Sequence, residues 1–334
     1  MPELDEVLTN RRAQVAAGTL AATGAAVAAV TKRRRRHDRA YALKEKESVA
    51  DGIKRIAAGR AASAVDELRG RGSSDPRTAV HEARKDLKKL RSAIRLVREP
   101  LGEETYRREN DRFRDAGRRL SPMRDANVRV ATLEALRERF PGELDDADLD
   151  VVVREENGRL PSPDGNGADP QERAAREIEV GGDAIPDWPL EGDDWGLLDA
   201  GLRRSYRRGR NRFRDVAADP SDENVHEWRK RVKDLWYDLR LLAPAEPKRI
   251  GGAAKKVHRL SDVLGDHHDL AVLREHASHT GASARAHCLF RLRRAINLRQ
   301  DELLKEALKR GEKLYAEKPK AYTKRLRSHW RDWR

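Results

Sequence analysis

The segment VHEARKDLKKLRSAIRLV (Val80–Val97) places His81, Arg84, Lys85, Lys88, Arg91 and Arg95 at helical spacing. On an α-helix, at about 100° per residue, all six fall within roughly 80° of His81. Leu87, Leu90, Ile94 and Val97 fall on the opposite side. A second segment, VHEWRKRVKDLWYDLRLL (Val225–Leu242), repeats the arrangement. His226, Arg229, Lys230, Lys233 and Arg240 form its cationic row, and Trp228, Val232, Leu235, Leu239 and Leu242 its apolar one. With about 1.5 Å of rise per residue, cations three or four apart recur every ~4.5–6 Å, which suits a ligand that repeats its negative charge. The plainer reading of any such ridge is a solvated surface. Solvated faces usually mix signs, however, because like charges at i, i+4 cost roughly 0.2–0.5 kcal/mol per pair. Here Glu82 and Asp86 stand to one side, and the pattern occurs twice.

Further cations share this geometry. GLRRSYRRGRNRFRDV (Gly201–Val216) carries Arg203, Arg207, Arg210 and Arg214 on one helical face. Arg112 and Arg114 match Lys256 and His258 in the second half, and a long helix predicted over Ala286–Lys313 carries Arg291, Arg293 and Arg294 near its start. The candidate anion-binding set therefore adds Arg112, Arg203, Arg207, Arg210, Lys256, Arg291 and Arg294 to the two ridges. Arg supplies paired donors and Lys a compact charge. His81 and His226 can donate one hydrogen bond when neutral, or two and a charge when protonated.

A metal-dependent phosphohydrolase is a weaker alternative, resting on Asp266, His267, His268 and Asp269, with His258 nearby in sequence. Arg124 and Asp125 occupy the places of His268 and Asp269 in the first half. An Asp shared without the His reads better as a helix cap or ion-pair partner. His276 and His279, at i, i+3, read as surface histidines. No P-loop, G-x-S-x-G or paired-cysteine motif occurs, and the single Cys288 fits a reducing compartment and excludes a disulfide framework.

The matched segments recur in order. His81 returns as His226, 145 residues on; LSPMRDANV (Leu120–Val128) returns 144 residues on as LGDHHDLAV (Leu264–Val272); and GIKR (Gly52–Arg55) resembles GLRR (Gly201–Arg204). This is the signature of a duplicated helical unit with short turns, which is bundle topology. Composition agrees: aromatics are 5% and charged residues 38% of 334 residues, which favours long helices over a sandwich or barrel. The net charge of +14 conceals an acidic connector, residues 141–194, with seventeen acids and four bases. The remainder carries +27 and calls for an acidic partner: nucleic acid, anionic lipid or a phosphate polymer. Within the connector, Gln171–Val180 can form a short helix. Residues 15–30 are uncharged, mostly Ala, Gly and Thr, and are followed by a basic cluster. They read as a loosely helical tail or, more sharply, as a marginal membrane anchor touching lipid through residues 15–36; the run suits a cleaved signal peptide less well.

The paired ridge segments, the two turns and GEKLYAEKPKAY (Gly311–Tyr322) resemble the CHAD family, a helical domain with characteristic histidines, over roughly residues 44–325. The resemblance implies an all-α fold of two pseudo-symmetric four-helix bundles with basic residues lining a central groove. It implies binding of inorganic polyphosphate without catalysis or cofactor. The family's basic positions fall on His81, Arg84, Lys85, Lys88 and Arg95, and on His226, Arg229, Lys230, Lys233 and Arg240. Lys stands where Arg is commoner at 85, 88, 230 and 233, and Trp236 stands where the first half has Arg91. The expected layout is an N-terminal tail (1–43), repeat one (44–140), the connector (141–194), repeat two (195–325) and a C-terminal tail (326–334). A tunnel triphosphatase often accompanies the family, but its E-x-E-x-K strand has only Glu45-Lys46-Glu47-Ser48-Val49 as a counterpart, which lacks the Lys at the fifth position and lies in a helical context. The expected role is a cytoplasmic module at polyphosphate granules. The rival is a basic nucleic-acid-associated protein; few aromatics and no recognition motif limit that to weak, non-specific binding.

Overall fold

Two of the longest amphipathic segments start at side-chain caps. Asp75 accepts a hydrogen bond from the Thr78 amide at 2.9 Å at the head of the first ridge helix. Ser221 accepts one from the Asn224 amide at 3.4 Å at the head of the second. Both satisfy amides that the first helical turn leaves unpaired. In a computed structural model the described residues are 41–73, 75–120, 125–141, 170–279 and 286–334. They form eleven α-helices and one 3-10 turn (Ala243–Ala245), with no strand among them. The helices are α1 (Val49–Leu68), α2 (Pro76–Leu96), α3 (Arg98–Leu101), α4 (Glu103–Arg119), α5 (Asp125–Arg139), α6 (Pro170–Asp183), α7 (Gly196–Ala218), α8 (Asp222–Leu242), α9 (Ile250–His279), α10 (Ala286–Leu314) and α11 (Pro319–Trp333). The all-helical expectation holds. Leu43–Arg334 form one compact unit. Residues 15–36, with their membrane reading, lie outside the described residues, and no described helix is long and apolar enough to cross a membrane.

The first bundle consists of α1, α2, α4 and α6. Its core joins Ala57, Ala61 and Ala64 of α1 to Leu87, Leu90 and Ile94 of α2, Phe113 of α4, and Ala174, Ala175 and Ile178 of α6. The alanines let the helices approach closely, and the leucines of α2 are those on the predicted apolar face. The fourth helix of this bundle thus comes from within the acidic stretch 141–194, which is more than a connector. The second bundle consists of α7, α8, α9 and α10. Its centre is the fully buried Trp228, with the Phe213 ring 5.4 Å away. Tyr206 stacks on Tyr322 of α11 at 3.9 Å.

The structure corrects three boundaries. Helix α5, placed in repeat one by sequence, packs on α9 and α10 of the second bundle, burying Leu133 and Leu136. Residues 326–334 are not a tail: α11 runs through them, with Leu326 and Trp330 buried, and Arg334 bonds the Glu47 carbonyl at 2.6 Å. Leu264–Val272 is not a turn, because the thirty-residue α9 runs straight through it. Its first-half counterpart contains Pro122, which opposes helix continuation; residues 121–124 lie outside the described residues.

Helices α2 and α8 join the halves. Ser92 donates to Asp238 at 3.3 Å and Arg95 to Asp234 at 2.7 Å. As the residue number rises on one helix it falls on the other, so the two cross antiparallel. Gly201 lets α7 close on the end of α2, since a β-carbon there would drive into the Leu96 carbonyl oxygen.

Candidate anion-binding site

Helix α2 carries its ridge at half-buried positions. His81 and Arg84 open onto a cavity of about 850 Å³, faced by Thr132 and Arg139 of α5, Asp266 and Asp269 of α9, and Arg299 of α10. The Arg84 guanidinium donates to the Leu120 carbonyl at 3.1 Å. Lys85 pairs with Glu82 at 2.8 Å, and Lys88 is half-buried. Arg91 donates to the Asn110 side chain at 3.2 Å. Burial, then the charges of Arg95 and Arg114, pushes its guanidinium down to about 10. Arg95 ends the row at Asp234 of α8.

Helix α8 repeats the row with different neighbours. The His226 ring stacks on His268 of α9 at 4.2 Å. The Arg229 guanidinium lies over Gly265, where a β-carbon would stand 3.5 Å from its Nη2 atom. Arg84 and Arg229 thus both fold back over the start of the matched segments, Arg84 at Leu120 and Arg229 at Gly265, one residue beyond the counterpart of Leu120. Lys230 pairs with Glu227, Lys233 is half-buried, and Arg240 lies 5.1 Å above the Trp236 ring. Trp236 meets His258 edge-on at 4.2 Å, so the place of the Arg91 and Arg114 cations is taken by an aromatic and an imidazole. Burial, then Lys230 and Arg229, holds His226 below the usual imidazole range. Burial, then His226 and Arg229, pushes His268 down to about 4. Both rings are therefore neutral near pH 7, in a cationic setting.

These paired ridges match a profile described as the CHAD domain over residues 54–278. The chain belongs to the CHAD family. Among solved structures, PptA from Streptomyces chartreusis is similar to this chain with a TM-score of 0.53 and 13% sequence identity. The match covers 81% of this chain and 100% of that one; at such identity it speaks to the fold alone. No curated protein matches the chain in sequence.

Several cations singled out by spacing lie elsewhere in this CHAD chain. Arg112 sits in the first bundle, 3.5 Å from the buried Glu109. On α7, Arg203 pairs with Asp199, Arg210 donates to the Tyr315 carbonyl at 3.0 Å, and Arg207 is exposed. Lys256 and Arg294 are exposed and Arg291 is half-buried. Arg293, their neighbour, lines a cleft with His226, His268 and Arg274. Sequence reasoning missed Arg139 and Arg299 in the large cavity, and Arg204, Arg208 and Arg231 at the junction of the halves. It also missed a buried network in which Asp86 takes Arg60 at 3.0 Å and Lys89 at 3.1 Å. Burial works against the Asp86 carboxylate, but Lys89 and Arg60 outweigh it and hold its pKa low.

The metal-site residues disperse, because consecutive positions on a helix point about 100° apart. Asp266 lines the large cavity, His267 is buried 4.0 Å from Asp222, and His268 stacks on His226. His258 binds Asp262 at 2.6 Å. Among the described residues no three His, Cys, Asp or Glu side chains converge as a metal site. The His279 side chain lies outside the described residues. Asp269 sits mid-helix, so it caps nothing.

Proposed function

We propose that this chain binds inorganic polyphosphate without covalent chemistry, through the cations of α2 and α8. It would act as a targeting or scaffolding module at polyphosphate-rich bodies. The observation that carries this reading is the pair of half-exposed cation rows on two helices that cross antiparallel and touch through Arg95 and Asp234. Polyphosphate binding is also the role supported at the level of the CHAD family. Such a ligand has charge on every unit and no bases, so it needs a track of Lys and Arg and no stacking platforms. The ridges fit that need: of the three aromatics in the second motif, Trp228 and Tyr237 are buried, and Trp236 packs against Arg240 and His258, so no row of free rings is offered to nucleobases.

Titration with long-chain polyphosphate at several salt concentrations tests the proposal. Counterion release predicts affinity falling steeply and linearly on a log–log plot. A flat response, or no binding at low salt, overturns it.

A further inference from the structure

Where α2, α7 and α8 meet, the fold adds Arg208 and Arg231, which the two cationic rows leave out, to Arg91 and Arg95 at the end of the first row. Arg95 and Arg231 both bond Asp234, at 2.7 and 3.1 Å. Arg208 of α7 shares a narrow recess with Arg95, Arg204, Ser205, Asp234 and Asp238, and burial pushes the Asp238 carboxyl up to about 7. Arg91 stands one turn before Arg95, and its Nε donates to the neutral Asn110 side chain. The Nε of Arg231 is buried with no hydrogen-bond partner among the described residues. Asp234 thus bonds Arg95 and Arg231 and lies in one recess with Arg208.

The other half lacks this arrangement. The motif matches place Asp86 and Lys89 at the positions of Arg231 and Asp234, and Gly59 at that of Arg208. There Asp86 is neutralised by Arg60 and Lys89 within hydrogen-bond distance, and Trp236 replaces Arg91. The excess of positive charge is therefore confined to one side of the α2–α8 crossing.

We propose that Arg91, Arg95, Arg208 and Arg231 form an anion subsite that takes a phosphoryl group, with Asp234 as the internal stand-in for that anion when the subsite is empty. This rests on the reading of the chain as a polyphosphate binder, and extends its track from the ridges onto α7. The chemistry is bidentate recognition by arginine forks. The electrostatics agree. Burial, then Arg231, lowers the Arg208 guanidinium despite the nearby Asp234, just as burial, Arg95 and Arg114 lower Arg91. An incoming phosphate relieves this crowding. The Asp234 carboxylate competes with it, so removing that charge strengthens the site.

The test uses the full chain, titrated with long-chain polyphosphate and, separately, with inorganic orthophosphate. Variants are Arg208→Ala, Arg231→Ala and Asp234→Asn, with the exposed Arg173→Ala as the control for net charge. The two Arg variants are expected to weaken polyphosphate binding several-fold and to reduce the salt slope by about 1 each. Asp234→Asn is expected to tighten binding more than Glu312→Gln, which removes one exposed negative charge elsewhere and so matches the change in net charge. Circular dichroism confirms that each variant is folded. Wild-type binding with Arg208→Ala and Asp234→Asn each indistinguishable from its charge-matched control overturns the subsite and leaves the function standing. Absence of wild-type binding overturns the function itself. Orthophosphate binding lost in Arg208→Ala shows that a single phosphoryl group suffices; binding of the polymer alone shows that the subsite works as part of the track.

Discussion

His226 of α8 and His268 of α9 stack at 4.2 Å, ring on ring, beside Arg229, Lys230 and Lys233. Each ring is held below the usual imidazole range, chiefly by burial and then by neighbouring charge. In the folded chain without ligand, protons are therefore bound less readily than in the unfolded chain. Stability is fully present above pH 6.5 and falls as pH drops from there toward the folded value of about 4 for His268.

A polyanion reverses that pressure. Bound phosphate favours the charged imidazole, so binding takes up protons and strengthens as the pH falls from 8 to 5.5. His226→Ala and His268→Ala are each expected to flatten the profile while leaving the salt dependence in place. Calorimetry in buffers of different ionisation enthalpy reads the proton uptake directly. Equal proton uptake in wild type and both variants would show that the pair is not the titrating element.

Asp238 is buried at the crossing of α2 and α8, hydrogen-bonded by Ser92, and burial pushes its carboxyl up to about 7. Between the ordinary aspartate value and about 7 the folded chain holds a proton that the unfolded chain releases. The stability from this group is complete below about pH 3.8 and is lost as pH rises through 7. Asp238→Asn keeps a hydrogen-bonding side chain and removes the ionisation. It is expected to raise the melting temperature at pH 8 and to have little effect at pH 4.5. A uniform shift at both pH values contradicts the assignment.

Trp228 is fully buried against Phe213, and a β-carbon on Gly311 would meet its ring at 2.7 Å. Truncation to Ala leaves a cavity that α10 cannot readily fill. The expected cost is about 3–5 kcal/mol in chemical denaturation. A loss below 1 kcal/mol would place this side chain outside the core.

The ridge helices were legible in the sequence because each buries one face locally, so a 3.6-residue period records what it packs against. Leu87, Leu90, Leu235 and Leu239 are buried as that period requires. Helix α6 was only partly legible: its net charge spoke for a linker, while Ala174, Ala175 and Ile178 made it a core helix. Sequence order places helix α5 with the first bundle because its partners, α9 and α10, lie more than a hundred residues away and leave no local trace. On α7, the spacing of Arg203, Arg207 and Arg210 drew attention to one face, but Arg204 and Arg208 face the junction. Gly201 was the available signal, since residues three and seven further on share its face and a glycine there marks close approach. The buried Asp86, Lys89 and Arg60 network was invisible because each residue looks like surface charge until its partners are known.

The central claim is that cations of α2 and α8 together hold polyphosphate. Its most direct test is competition between long-chain polyphosphate and duplex DNA, at equal charge and near-physiological salt. It is run on the wild-type chain and on one carrying Arg84→Ala, Lys88→Ala, Arg229→Ala and Lys233→Ala. The account predicts a clear preference for polyphosphate in the wild type, lost in the quadruple variant with helicity unchanged. Preference for DNA, or undiminished polyphosphate affinity in the variant, contradicts it.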